Sequence, residues 1–232
     1  MSSPHWFIDE LAHAGSEHLD PGYVPGYDTK SATDPIEDLA ALQALGLNST
    51  HILVDMGAGT GTFALATAPY CQRVIAVDVS SVMLAQLSVK LTDAGMTNVE
   101  TVQRGFLSYE HSGELADFVY SRHALHHLPD FWKAIALTRI ASFLKPGGIL
   151  FLRDLVYSFE PARAEHTIEA WVAGGADRPE HGWTREELET HVREEYSTFS
   201  WLLEAIIERS GFTIQDARHR GSIYSTYVCK RI

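Results

Sequence analysis

Cysteine is scarce in this chain: Cys71 and Cys229 are the two among 232 residues. Two thiols build neither a disulfide framework nor a zinc ligand set, and they read as reduced thiols of a cytosolic protein. Basic residues are few as well, 18 Lys and Arg against 30 Asp and Glu, for a net charge of −12. That balance argues against binding a nucleic-acid backbone by counterion release. It leaves nucleotide-sized ligands open, since local contacts hold those. No apolar run approaches the roughly 20 residues that span a bilayer. The opening stretch MSSPHWFIDELAHAG lacks a basic segment followed by an apolar one, so it does not read as a signal peptide. Internal repeats and low-complexity segments are missing. The expectation is a soluble, cytoplasmic protein with no membrane or nucleic-acid partner.

What is present is apolar residue in quantity, 45% of the chain, enough for a sizeable core. The length suits one domain, 1–232, with an N-terminal cap over 1–32 and an insert acting as a lid. The cap reads as a short helix near 4–13 followed by an irregular Gly- and Pro-rich segment to residue 30. TDPIEDLAALQALGL (33–47) starts a helix: Asp34 can cap, Pro35 suits the first position and Glu37 completes a capping box.

Strands and helices then alternate. The patterns predict strands at 51–57, 73–80, 99–104, 116–123 and 148–157, with helices at 62–71, 81–95 and 130–144. Such alternation implies right-handed crossovers and a parallel sheet covered on both faces. Residues 158–197 interrupt it with two helical patterns, about 160–173 and 184–196. A helix over 197–212 resumes the winding. TIQDARHR and SIYSTYVCKR have no helix between them, so they form a hairpin and the last strand runs antiparallel. The fold expected is α/β: a doubly wound, seven-stranded, mostly parallel sheet with a helical insert.

The segment ILVDMGAGTGTFA (52–64) ends an apolar strand in Asp55 and then places Gly57, Gly59 and Gly61 at alternate positions. In an open α/β sheet, ligands sit beyond the carboxyl ends of the strands at the switch point. Glycines there let the backbone approach a ligand closely. The dinucleotide fingerprint is G-x-G-x-x-G, whereas the spacing here is D-x-G-x-G-x-G. The acid two residues before the first glycine suits a cationic group better than a pyrophosphate. Asp78, at the end of the next strand, can accept both hydroxyls of a ribose.

Together with VIAVDVSSVML, ADFVYSRHALHHLPD and LKPGGILFLRD, this segment resembles the class I S-adenosylmethionine-dependent methyltransferases over roughly residues 34–157. The resemblance implies a Rossmann-like sheet with a reversed last strand. It implies S-adenosyl-L-methionine as cofactor, leaving as S-adenosyl-L-homocysteine. By position, Asp55 faces the amino-acid end of the cofactor, and Gly57, Ala58, Gly59 and Gly61 line its methionine and ribose. Asp78 holds the ribose hydroxyls, Val79 and Met83 pack the adenine faces, Gly105 and Phe106 flank its edge, and Ser121 lies beside the methionine. Many relatives carry an Asp after the third strand that accepts from the adenine amino group; Gly105 stands there in this chain.

For the acceptor, His126, His127 and Asp154 are the candidate catalytic residues, because an oxygen or nitrogen acceptor must lose a proton to His or a carboxylate. His127 can alternatively cap the helix at Pro129, and Asp154 can sit in a salt bridge. Tyr27, Tyr157, His191, Arg193 and Tyr196 are candidate acceptor contacts in the cap, the fifth strand and the insert. No metal is expected, since the histidine turn carries no carboxylate cluster of its own. The reading is methyl transfer to a small molecule by a monomer or homodimer. An NAD(P)-dependent oxidoreductase and a non-catalytic S-adenosylmethionine-binding protein are its rivals.

Overall fold

The computed structural model describes residues 4–31 and 34–232. Residues 1–3 and 32 of the predicted cap, and the first position of the 33–47 pattern, lie outside that range. The sheet contains β1 (Ile52–Met56), β2 (Arg73–Asp78), β3 (Val99–Gln103), β4 (Ala116–Arg122), β5 (Leu144–Tyr157), β6 (Thr198–Phe199), β7 (Phe212–Arg220) and β8 (Tyr224–Arg231). The order is β3-β2-β1-β4-β5-β8-β7, with the two-residue β6 paired to the end of β5. β1 to β6 pair in parallel, and β8 runs antiparallel to both β5 and β7.

The helices are α1 (Val24–Ser31), α2 (Ile36–Ala44), α3 (Thr62–Thr67), α4 (Ser81–Asp93), α5 (Asp130–Phe143), α6 (Ala164–Ala173), α7 (Arg185–Glu194) and α8 (Ser200–Arg209). Two apolar clusters cover the two faces of the sheet. Along β1, Ile52, Val54 and Met56 join the cluster that includes Trp132, Leu137 and Ile140 of α5 and Leu203 and Ile207 of α8. Leu53 faces the other way, among Leu42 of α2, Phe63 of α3 and Leu87 of α4. Alternation of side chains along a strand explains why one apolar run serves both layers.

Because β2 and β4 flank β1 on opposite sides, the connections leave β1 and β4 toward opposite faces, and the loops after these strands part to form a crevice. The loop after β1 is the glycine segment; the loop after β4 is the histidine turn.

Four local expectations need correction. The stretch predicted as a helix near 4–13 holds a short 3-10 turn at Leu11–His13, and another follows at Ser16–Leu19. The segment read as irregular to residue 30 contains α1, whose VPGYDTKS sequence has poor helix propensity. Tertiary contacts hold it: Asp28 accepts from the Thr60 hydroxyl and pairs with Lys90. Asp34 does take the Ile36 N–H at 2.9 Å, but Glu37 reaches out to Arg153 at 3.3 Å rather than back to close a box. The helix predicted over 197–212 starts at Ser200, because Thr198 and Phe199 extend the sheet first.

Candidate functional site

The glycine segment is held by the next strand. The N–H groups of Gly57 and Ala58 both donate to the Val77 carbonyl, at 2.9 and 3.0 Å. The Gly59 N–H donates to Asp78 Oδ2 at 2.8 Å, and the Ser80 N–H to Asp78 Oδ1 at 2.8 Å. Gly57 has φ +77°, and a Cβ on it would stand 2.3 Å from Ala124 Cβ, across the crevice. Gly61 is demanded by packing instead: a Cβ there would meet Leu87 Cδ1 of α4 at 2.1 Å.

Asp55 is buried, and its Oδ2 has no hydrogen-bond partner among the described residues. Burial, with the Asp78 charge adding to it, pushes its carboxyl up to about 8. Asp78 is raised by burial too, though its two backbone N–H donors oppose the shift.

Two cavities meet at this segment, both bounded by Gly57, Gly59, Tyr27 and His127. The smaller, about 100 Å3, is walled by Asp78, Val79, Met83, Gly105 and Phe106. The larger, about 970 Å3, takes in Asp55, Ala58, His126, His191 and Tyr196, with Trp171 and Trp183 from the insert. Five predicted site residues line neither cavity: Gly61, Ser121, Asp154, Tyr157 and Arg193. Ser121 is buried within β4, Tyr157 packs on Phe159 and Phe199, and Arg193 is exposed and reaches Thr190 at 3.0 Å.

Sequence reasoning missed Glu10. Its Oε1 accepts from the Leu107 N–H and its Oε2 from the Ser108 hydroxyl, each at 2.9 Å. A Cβ on Gly105 would lie 2.2 Å from Glu10 Oε1. The carboxylate from the N-terminal segment thus fills the volume that a side chain at position 105 would take. Nothing local to Glu10 signals this, because the partner lies across the crevice.

The histidine turn is built from three distant parts of the chain. The His123 N–H donates to the Arg153 carbonyl at 2.8 Å, and His123 itself has φ +50°. Strained backbone of this kind persists where its surroundings fix it. His126 donates its Nδ1–H to Asp154, and its backbone N–H reaches the other Asp154 oxygen at 3.0 Å. His126 Nε2 faces Glu195 Oε2 at 3.0 Å, and His191 Nδ1 lies against the same oxygen. Burial disfavours charge on His126, but Asp154 and Glu195 overcome it and raise its pKa. Burial lowers His127 to about 3, so its ring is neutral, and its Nδ1 has no partner among the described residues. The carboxylates beside the turn come from outside it: Asp154 from β5 and Glu195 from the end of α7.

A family model described as a methyltransferase domain matches residues 53–148, from β1 to the start of β5. YcgJ, an uncharacterized methyltransferase of Bacillus subtilis, is 33% identical over 119 residues, which is 51% of this chain and 46% of that protein. An uncharacterized methyltransferase of Bacillus cereus is 25% identical over 213 residues, covering 91% of this chain and 90% of its own. Residues 53–148 of the chain carry a methyltransferase domain. The crystal structure of magnesium protoporphyrin IX methyltransferase from Synechocystis with bound S-adenosylmethionine shares the fold of this chain. Its TM-score is 0.65 at 14% identity, over 99% of this chain and all of that one. The dinucleotide alternative drawn from the glycines gives way to this assignment. Among the described residues, no helix of the methyltransferase is long and apolar enough to cross a membrane.

Proposed function

We propose that this methyltransferase acts on a small-molecule acceptor held in the larger cavity, with the adenine end of its cofactor directed into the smaller one. The observation that carries the reading is the junction of the two cavities at Gly57, Gly59 and His127. A ligand laid across that junction has one end directed at Asp78, Val79 and Met83 and the other open to a second molecule.

The residues fit the cofactor. The unpaired Asp55 carboxylate offers the counter-charge for an ammonium group. Asp78 is oriented by two backbone donors and keeps lone pairs for ribose hydroxyls. Val79, Met83 and Phe106 give apolar walls for a purine. Glu10 supplies, from another element, the carboxylate missing after β3, where it can accept from the adenine amino group.

Bound S-adenosylmethionine supplies an electrophilic methyl group. The protein's part is to align the acceptor and keep water out. The insert, 158–197, forms the outer wall through Trp171, Trp183 and His191, and Lys30 of α1 pairs with Glu187 of α7 to tie the insert to the N-terminal segment. His126, His127 and Glu195 face the acceptor compartment and handle its oxygen or nitrogen. Asp154 acts through His126, which it holds.

The test has two stages. S-adenosylhomocysteine, S-adenosylmethionine, NAD and NADP are each added to the protein in melting experiments. A ligand at 100 times its Kd stabilises the folded state by about 2.7 kcal/mol. Transfer of labelled methyl is then screened over small acceptors, RNA and protein. Shifts with the first two ligands and labelling confined to small molecules support the reading. Labelling of RNA or protein alone overturns the acceptor class, and a shift with a nicotinamide cofactor alone overturns the cofactor assignment.

A further inference from the structure

The histidine cluster contains more than a proton acceptor needs. We propose that His126, His127 and Glu195 form a binding site for one divalent transition-metal ion of the Zn2+ type, with an open coordination position facing the larger cavity.

Each of the three residues offers one ligand atom, and all of these atoms lie within 4.8 Å of one another. Two imidazoles and one carboxylate, with a position left for water or substrate, are a ligand set that zinc enzymes use. Imidazole also selects zinc, iron or nickel over magnesium and calcium, which prefer oxygen alone. The 3.0 Å from His126 Nε2 to Glu195 Oε2 is near the edge of a tetrahedral site with metal bonds of about 2.0–2.1 Å, roughly 3.3 Å.

The surroundings orient the ligands. Asp154 takes the Nδ1–H of His126, which fixes the ring and turns Nε2 toward Glu195. Histidine ligands commonly donate their other N–H to a carboxylate in this way. His191 braces Glu195, and the Ser197 hydroxyl braces His191 at 2.8 Å through Nε2. The Tyr196 N–H donates to the His126 carbonyl at 2.9 Å, so the residue beside Glu195 is pinned to the same turn.

Two electron pairs are left over. His127 Nδ1 is buried without a partner among the described residues. Glu195 Oε2 has nearby imidazole nitrogens but no well-directed hydrogen bond. Buried polar atoms in native proteins are normally satisfied, and a cation at this point satisfies both. On the methyl-transfer reading, the metal would hold an acceptor oxygen as its oxyanion beside the cofactor, which favours acceptors with a metal-binding hydroxyl or enol. The site itself does not depend on that reading.

The experiment strips the full chain with a chelator and titrates it with ZnCl2 by calorimetry, and with CoCl2 by visible absorption. The expected result is one equivalent per chain and the visible bands of low-coordinate cobalt. Glu195→Gln and His127→Gln should each weaken binding at least about 10-fold, and Asp154→Asn about 10- to 100-fold. His166→Gln, at an exposed position on α6, should leave it unchanged. Absence of a cobalt spectrum in the wild type, or equal affinity in wild type and Glu195→Gln, overturns the site. If Glu195→Gln fails to fold, His127→Gln decides, because its Nδ1 has no hydrogen bond to lose. S-adenosylhomocysteine melting shifts are recorded on the same samples. A cofactor shift without metal binding removes the metal site alone; metal binding without a cofactor shift removes the cofactor reading alone.

Discussion

Asp55 and Asp78 stand at the ends of neighbouring parallel strands, and two backbone N–H groups meet the second while Oδ2 of the first is buried unpaired. An unpaired buried carboxylate costs stability, and such a cost persists in sites that bind a complementary charge. Asp55→Asn should therefore raise the melting temperature of the ligand-free protein and lower its affinity for S-adenosylhomocysteine. Loss of one charge-assisted contact of about 1.5–3 kcal/mol corresponds to about 10- to 100-fold in Kd. Melting curves and calorimetry on the two proteins check both signs.

The same residue sets a pH dependence. Its folded pKa, about 8, lies above the ordinary 3.8. The protonated form is thus favoured in the fold, and Asp55's contribution to ligand-free stability is full below about pH 4 and lost as pH rises toward 8. Binding an ammonium group needs the ionised form and releases the proton. Affinity for S-adenosylhomocysteine should rise from pH 6 to pH 8 with a slope approaching tenfold per pH unit, and Asp55→Asn should be nearly flat. Calorimetry in buffers of different ionisation enthalpy would count the released proton; an equal slope in both proteins would clear Asp55 of the role.

The alternation of strands and helices and the position of the glycine segment were legible because they rest on local signals: continuous apolar runs, alternate glycines, and acids at strand ends. The reversed β8 was legible from the missing helix between two strand patterns. The Glu10 contact with Leu107 and the convergence of Asp154 and Glu195 on His126 were not. Those arise where loops from different strands meet, and no period in the sequence records which loops face each other. α1 was missed for a related reason: Asp28 docking, rather than helix propensity, makes it.

Gly59 and Gly61 should separate on substitution. At Gly61, with φ +79°, a Cβ would collide with Leu87 Cδ1 at 2.1 Å. Gly61→Ala should cost about 2–4 kcal/mol from overpacking and left-handed backbone together. Leu87→Ala in the same chain should recover part of that. A Cβ on Gly59, at φ +54°, meets nothing within 4 Å among the described residues. Gly59→Ala should cost about 1–2 kcal/mol of stability and a larger share of cofactor affinity, because the new methyl enters the crevice. Denaturant melts and binding isotherms on the three variants read the difference.

Glu10→Gln keeps the shape of the side chain and replaces an acceptor oxygen with a donor. If Glu10 accepts from the adenine amino group, discrimination between S-adenosylhomocysteine and S-inosylhomocysteine should shrink by about 10-fold, since a mispaired buried polar contact is worth about 1–3 kcal/mol. A purely structural role for Glu10, bracing Leu107 and Ser108, would weaken both ligands equally. Competition binding with the two nucleosides distinguishes these outcomes.

Lys30 is buried on α1, pairs with Glu187 on α7 and lies over the Trp183 ring at 4.9 Å and the Tyr23 ring at 5.2 Å. One side chain thus joins the N-terminal segment to the insert that walls the larger cavity. Glu187 is about one-third exposed, so water screens part of the pairing. Lys30→Met keeps the apolar stem and removes the charge. It should cost about 1–2 kcal/mol, or a few degrees of Tm at this chain length. Because the loss falls on the junction, tryptic cleavage at Arg185, which is exposed at the start of α7 in the insert, should speed up more than cleavage in the sheet. The affinity for S-adenosylhomocysteine should change little, while the KM of an acceptor should rise. Uniform acceleration of cleavage across the chain would mean that Lys30 serves global stability and does not hold the insert in place.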